Sequence, residues 1–170
     1  AYKRLKTMEN SGLVMHVKQG LWLLDPQLPP FALAPYLTSP QPAYVSLNSA
    51  LAHRGLIEQI PRQVSVISTD RTRRITTKLG IYSIHSISPE LFSGFEGKSS
   101  NGYIATAEKA LFDSIYVKAA AGSVAYFPEL NFPDSFDPEV ALDWVERIPS
   151  VRLRSITERR LLDILPSGPI

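Results

Sequence analysis

YVSLNSALAHRGLIEQIP, from Tyr44 to Pro61, is the part of the sequence that gives the strongest signal of the fold. Its first two residues predict the end of a short buried strand, and Ser46 stands where a helix N-cap belongs. Leu47 and two of the apolar residues after it recur at the i, i+3 and i+4 spacing of one helical face. Gly55 is placed to take the left-handed conformation after the helix, and Pro61 ends the stretch. Because the stretch has little polar surface, we expect it to be the centre of a core.

A second segment, IATAEKALFDSIY from Ile104 to Tyr116, predicts the best helix of the chain. Thr106 is its expected N-cap, and Glu108 lies in the first turn, where the helix dipole favours a carboxylate. Together with Lys109 and Asp113, Glu108 also suggests a metal-dependent nuclease, in which carboxylates hold Mg²⁺ and a lysine supports the water. A nuclease core, however, has its acid and lysine alternating on a strand. We therefore favour a capped helix with an i, i+4 pair between Lys109 and Asp113.

The beginning of the chain predicts a helix followed by a β-hairpin. Residues 1–9 have the pattern of a helix end, and the turn residues 10–12 stop it. Two apolar runs, Leu13–Val17 and Leu21–Leu24, then flank a turn that contains Gly20. A helix followed by a hairpin is the order of the back half of a winged helix-turn-helix, with the helix in the recognition position. The earlier helices of such a domain are expected upstream of Ala1.

The rest of the chain predicts an α+β fold, in which the partial winged helix (recognition helix and wing) is followed by a mixed α/β domain with C-terminal helices. We divide the chain into a winged-helix remnant (1–25), a Pro-rich linker with a short helix (26–42) and the α/β domain (43–170). Residues 96–102 are predicted to be a polar loop. Further strands are predicted at 63–68, 75–77, 81–87 and 103–105, and further helices at 31–37, 138–147 and 155–165.

The composition is that of an ordinary globular protein, with 44% apolar and 20% charged residues. No apolar run approaches the length of a membrane span, and no signal peptide is recognisable. The absence of cysteine excludes disulfides and thiolate metal sites and fits a cytoplasmic protein. His16, His53 and His85 have no metal-binding spacing. We therefore predict no metal site, no cofactor and no catalytic residue, and we do not expect an enzyme.

The charge is unevenly distributed. Residues 1–80 hold ten Lys and Arg against four acidic residues, whereas residues 81–170 hold eight against twelve. A basic front half suits a polyanionic partner. Within it, Arg71, Arg73 and Arg74 lie on a predicted turn between strands, where they could contact phosphate or an acidic or RNA-bearing partner. As a solvated turn they would need no role, and the sequence leaves both interpretations open.

The two segments described first also carry a family resemblance. The pattern Y-x-S-L-x-S-A-L-x-x-x-G-L-I-E-Q-I-P followed by IATAEKALFDSIY resembles the AbiEi family of transcriptional regulators, the antitoxins of type IV toxin–antitoxin systems in bacterial phage defence. Residues 12–24 resemble the wing that precedes these segments in the family, so that the resemblance covers residues 1–120. It implies binding to inverted repeats in the protein's own promoter, repression of the operon, and neutralisation of a nucleotidyltransferase-like toxin encoded beside it. It also implies that the C-terminal domain carries most of the antitoxin activity.

The residues expected to contact promoter DNA follow from their position on this motif. They are Tyr2, Lys3, Arg4 and Lys6 on the helix, and Lys18 and Gln19 at the tip of the wing. Two alternatives remain open at this point. One is a metal-dependent nuclease or other nucleic-acid enzyme, and the other is a repressor without a toxin partner.

Overall fold

The computed structural model of the protein describes residues 2–25, 27–127 and 129–166. It confirms a mixed α+β fold. Ala1, Pro26, Pro128 and residues 167–170 lie outside the described residues. They belong to the predicted winged-helix remnant, the predicted linker and the predicted α/β domain. The helices are α1 (Tyr2–Asn10), α2 (Ala34–Thr38), α3 (Leu47–His53), α4 (Ala107–Ala120), α5 (Pro138–Glu146) and α6 (Val151–Ile164), with 3₁₀ turns at Pro30–Leu33 and Pro89–Leu91. The strands are β1 (Met15–Lys18), β2 (Leu21–Leu23), β3 (Ala43–Val45), β4 (Val64–Ser68), β5 (Arg73–Thr77), β6 (Gly80–Ser86), β7 (Phe95–Lys98) and β8 (Gly102–Ala105).

Six of these strands form one mixed sheet in the order β5-β6-β4-β3-β8-β7. The central strand β3 runs antiparallel to β4, with Val45 opposite Val66, and parallel to β8. Strand β6 lies parallel to β4, and antiparallel hairpins finish both edges of the sheet. Every residue of β3 is buried. The predicted position of this stretch at the centre of the core is therefore confirmed.

The sheet buries apolar side chains on both faces because successive residues of a strand point to opposite sides. Tyr44 and Ile67 belong to a cluster with α3, α4, α5 and α6. Val45 and Val66 belong to a second cluster with α2 and the β1–β2 hairpin, which contributes Val17. The sheet thus separates a helical layer from a layer that contains the hairpin.

The sequence predicted the C-terminal end of α3 correctly but not its N-terminal cap. Gly55 has φ +79°, and the Leu56 N–H donates to the Leu51 carbonyl over 2.8 Å, which is the predicted glycine-terminated helix end. Ser46 stands at the N-cap position, but its side chain makes no capping hydrogen bond. Its hydroxyl donates to Asp113 instead, so the predicted capping role of Ser46 is wrong.

The predicted N-cap of helix α4 is confirmed, and a glycine follows its C-terminus. Thr106 Oγ1 accepts a hydrogen bond from the Lys109 N–H over 3.3 Å, and Gly122 takes φ +71° beyond the last turn. Lys109, Phe112 and Asp113 are all buried on α4. The helix is enclosed by the sheet on one side and by α5 and α6 on the other.

In the part of the chain that the structure describes, no helix combines the length and the apolar character needed to cross a membrane.

Three boundaries differ from the sequence prediction. Residues 95–98 form strand β7 where a polar loop was predicted, because their backbone pairs with β8 whatever the polarity of the side chains. Strand β5 begins at Arg73, since pairing with β6 extends it into the charged turn. Helix α6 begins at Val151, where Ser150 Oγ accepts from the Leu153 N–H and so provides an earlier N-cap than predicted.

Candidate functional site

The predicted nucleic-acid surface consists of α1 and the hairpin that follows it. The chain turns at Gly12, which has φ +72°, and β1 then pairs antiparallel with β2. Met15 lies opposite Leu23, and His16 lies opposite Trp22. The predicted order of a helix followed directly by an antiparallel hairpin is confirmed, although the paired residues begin at Met15, later than expected.

Aromatic contacts place α1 against the hairpin. The Tyr2 ring meets the Trp22 ring edge-on at 5.9 Å between centroids, and His16 lies 4.5 Å from the same indole. No residue of α1 is fully buried, and Tyr2 remains 61% exposed. The helix is therefore docked on the hairpin while most of its surface stays open to solvent.

Glu9 connects α1 by hydrogen bonds to strand β1 and to Lys78, which precedes β6. Its carboxylate accepts hydrogen bonds from Lys6 Nζ (2.8 Å), from Lys78 Nζ (2.7 Å) and from the His16 N–H (3.2 Å). Hydrogen bonds from Lys6 and Lys78 hold the pKa of Glu9 at about 2, below its usual value of 4.5. Lys6 was predicted to contact DNA, and the structure shows its ammonium group paired with Glu9 on the helix.

Of the other residues predicted to contact DNA, some are exposed and one is hydrogen-bonded within the protein. Lys3, Arg4 and Gln19 are exposed, and neither Lys3 nor Arg4 forms an ion pair with a described residue. Lys18 is half-buried, and its ammonium group donates to the carbonyl of Leu37 over 2.9 Å. This carbonyl lies at the end of α2, where the helix dipole favours a cation. Lys18 therefore joins the hairpin to α2.

The three arginines of the predicted turn are separated by the sheet. Arg73 Nη2 donates to the same Leu37 carbonyl over 3.2 Å, and the Arg73 guanidinium also pairs with Asp70. Arg74 is the next residue of β5, so its side chain leaves the opposite face of the sheet and is exposed. Arg71 is exposed in the turn before β5. The structure thus brings Arg73 and Lys18 together and directs Arg74 elsewhere.

A buried polar cluster lies where α4 crosses β3. Lys109 Nζ donates to Asp113 Oδ1 at 2.5 Å, and neither side chain has any exposure. The other carboxylate oxygen of Asp113 accepts from the Tyr44 hydroxyl (2.9 Å) and from the Ser46 hydroxyl (2.7 Å). Three donors therefore satisfy one carboxylate inside the core. The predicted Lys109–Asp113 pair is present, but its burial was not predicted.

Aromatic rings surround the Lys109 ammonium group. Its Nζ lies 4.6 Å from the ring centroid of Trp144, 4.9 Å from that of Phe112 and 5.8 Å from that of Tyr44. Burial lowers the pKa of Lys109 and raises that of Asp113, while their ion pair opposes both shifts. Tyr44 is 69 residues from Asp113 in the sequence, and no local pattern pointed to their contact.

This geometry does not bring the two carboxylates of the nuclease hypothesis together. Asp113 is enclosed by its three donors, whereas Glu108 accepts from the Asp137 N–H over 3.1 Å at the start of α5. Among the described residues, no group of three or more His, Asp or Glu side chains could hold a metal ion. The prediction that the protein is not an enzyme stays a prediction.

The histidines lie far apart in the fold. His16 packs on Trp22, and His53 lies 5.8 Å from the ring of Phe31. His85 Nε2 lies 3.1 Å from the Ser83 hydroxyl on strand β6. Burial, with a smaller effect of the Lys118 charge, lowers the pKa of His85.

No protein-family model matches the sequence. No curated protein matches it either. The evidence on function is therefore the residues and the geometry of this chain, together with the motif resemblance.

Proposed function

We propose that the protein is a DNA-binding transcriptional repressor and an antitoxin, as the resemblance to the AbiEi family implies, and that it counteracts a nucleotidyltransferase-like toxin. The observation that carries the DNA-binding half is the arrangement of α1 and the hairpin. Helix α1 leads directly into β1 and β2 and exposes Tyr2, Lys3 and Arg4 beside a hairpin tip that exposes Gln19. This order suits a winged helix, in which α1 is the recognition helix and the hairpin is the wing.

In this proposal α1 enters the major groove and the hairpin tip follows the neighbouring backbone. Arginine commonly reads guanine through two hydrogen bonds, and lysine commonly contacts phosphate. We assign the first role to Arg4 and the second to Lys3. Glu9 supports both roles indirectly, because its bonds to Lys78 and to the His16 backbone hold α1 at a fixed angle to the hairpin. The excess of basic residues in the front half of the chain agrees with an anionic partner.

The antitoxin half of the proposal rests on the two sequence segments that resemble the family. In the structure these segments are β3 with α3 and β8 with α4, and they meet at the contacts of Asp113 with Tyr44 and Ser46. They form the core of the mixed domain. We therefore assign the antitoxin role to the surface of this domain, separate from α1.

The test of DNA binding compares two duplexes over a range of salt concentrations. One carries the inverted repeat of the protein's own promoter, and the other carries the same bases in scrambled order. We expect binding to the promoter duplex to be tighter and to weaken as salt rises, since each phosphate contact contributes about 0.9 to the logarithmic salt dependence. The proposal would be contradicted if both duplexes bound with equal affinity and this affinity did not change with salt.

The test of the antitoxin role is co-expression with the product of the adjacent reading frame. We expect that product to arrest growth alone and the present protein to restore growth. Arg4→Ala should still restore growth, because the two functions are assigned to different surfaces. If the protein represses its promoter but never restores growth, it is a repressor without a toxin partner.

A further inference from the structure

A polar cavity of about 470 Å³ opens on the face of the sheet opposite the hairpin. It lies between strands β4 and β6 and helix α4, next to the start of α3. Its polar side chains include Asn48, Ser65, Ser83, His85, Ser114 and Lys118. The proposed DNA-binding function does not use this cavity.

The cavity exists because serines, which are small and polar, occupy this part of the sheet face where larger apolar side chains would fill the space. Ser65 of β4 is the register partner of Ser83 of β6, and His85 pairs with Ile67 in the same ladder. These side chains share one face, since they are an even number of residues apart on their strands. Helix α4 covers the apolar part of this face, and the serines leave a space beside it.

The hydroxyl of Ser65 is available to a molecule in the cavity. Ser65 is only 6% exposed and lines the cavity, yet its hydroxyl makes no hydrogen bond to a described residue. The neighbouring buried hydroxyls are satisfied, because Ser49 donates to the Gln63 carbonyl and Ser114 donates to the Ala110 carbonyl. The Ser65 hydroxyl is not among the fully buried side-chain polar atoms that have no partner, so it is accessible from the cavity. A bound acceptor would take its hydrogen bond.

The charge around the cavity favours an anion. Lys118 supplies a positive charge at the rim, and none of the residues that line the cavity is a carboxylate. Arg74 lies opposite Ser83 in the β5–β6 pair and so emerges on the same face. Ser83 and His85 are already joined by their contact of 3.1 Å and form a polar unit next to Ser65.

We propose that this cavity binds a small organic phosphate monoester. A phosphate group offers three acceptor oxygens in different directions, which fits donors on β4, β6 and α4 better than the two oxygens of a planar carboxylate. Lysine commonly contributes to phosphate sites as a point charge. The volume exceeds that of phosphate alone and lies in the range of small-molecule sites. Val117, Ala121 and the exposed ring of Tyr126 provide an apolar side for the organic part.

The experiment measures binding by calorimetry and by amide NMR shifts. The probes are adenosine 5′-monophosphate, ribose 5-phosphate and glycerol 3-phosphate, with inorganic phosphate, adenosine and succinate for comparison. We expect at least one ester to bind with one-to-one stoichiometry and to shift the amides of Ser65, Ser83 and Lys118 in the unmodified protein. Inorganic phosphate should bind more weakly, and adenosine and succinate should not shift these amides.

Matched variants separate this site from general charge attraction. Lys118→Gln and Ser65→Ala should each weaken the ester by roughly tenfold or more, as expected for the loss of a charge-assisted or buried hydrogen bond. Lys98→Gln and Ser86→Ala make the same changes at exposed positions outside the cavity and should leave binding unchanged. Arg4→Ala should also bind normally, so that failure of the DNA-binding proposal does not affect this result.

Three results would overturn the proposal. One is the absence of saturable binding of any ester up to about 10 mM, which corresponds to a binding free energy weaker than about 3 kcal/mol. The second is equal binding by Lys118→Gln and Lys98→Gln. The third is binding of inorganic phosphate or succinate as tightly as the best ester. The amide shifts of the unmodified protein decide the matter even where a variant fails to fold.

Discussion

Asp113 of α4 accepts a hydrogen bond from Tyr44 of β3 at 2.9 Å, deep in the core of the protein. The two residues belong to the two segments that decide the fold, and their contact is where these segments meet. Lys109 and Ser46 complete the cluster, so that the carboxylate has three donors and no exposure. The cluster fixes the crossing of α4 over the central strand.

The first prediction concerns this buried ion pair. Asp113→Leu should lower the free energy of unfolding by about 3–5 kcal/mol, because it leaves the Lys109 ammonium buried without its partner. The double variant Lys109→Met with Asp113→Leu should be more stable than Asp113→Leu alone. Urea denaturation at neutral pH measures both. Lys6→Met, which removes one cation of an exposed pair, is the control and should move the midpoint little. If Asp113→Leu were as stable as the unmodified protein, the Lys109–Asp113 pair would not be needed for stability.

The second prediction is a pH dependence of α1 docking. The Glu9 pKa is held at about 2, below its usual value of 4.5, so its bonds contribute stability above pH 4.5 and lose it as the pH falls toward 2. The stability difference between the unmodified protein and Glu9→Gln should therefore shrink over this range. Carboxyl NMR of Glu9 gives its pKa directly. A Glu9 pKa at its usual value would mean that the contacts with Lys6 and Lys78 do not form in solution.

The third prediction uses the close approach of Gly102 to the 3₁₀ turn. A Cβ added at Gly102 would lie 2.6 Å from the backbone carbonyl carbon of Phe31, and Gly102 has φ +92°. Gly102→Ala should cost about 2–4 kcal/mol, since overpacking adds to backbone strain. The control is Gly122→Ala, which has φ +71° and open space, and should cost about 1–2 kcal/mol. Thermal and urea denaturation measure both, and equal losses would refute the steric argument.

The fourth prediction ranks the residues of the proposed DNA surface. Arg4→Ala should reduce the preference for the promoter duplex by about 1–3 kcal/mol, the range for one bidentate base contact. Lys18→Met should affect DNA less and should instead speed amide exchange in the hairpin, because its ammonium group binds the Leu37 carbonyl. Arg152→Ala on α6 is the matched control for charge. Equal losses from Arg4→Ala and Arg152→Ala would show that only the net charge matters.

Local patterns in the sequence were sufficient for most of the helices and for the position of the central strand. The glycine-terminated α3, the capped α4 and the helix–hairpin order of the first residues all follow from spacing, caps and turn residues. Strand β7 was missed because its stability comes from pairing with β8, and Ser46 was misassigned because its hydroxyl finds a distant acceptor rather than the adjacent backbone.

The functional surfaces depend more on tertiary structure. Local sequence patterns were enough to predict that Tyr2, Lys3 and Arg4 share a helix that precedes a hairpin. Only the fold decided that Lys6, Lys18 and Arg73 are engaged within the protein, while Arg74 emerges on the other face of the sheet. The sequence likewise predicted the Lys109–Asp113 pair from i, i+4 spacing. Its burial, and the cavity beside Ser65, arise where strands and helices distant in the chain are packed together, because such contacts depend on topology and not on local periodicity.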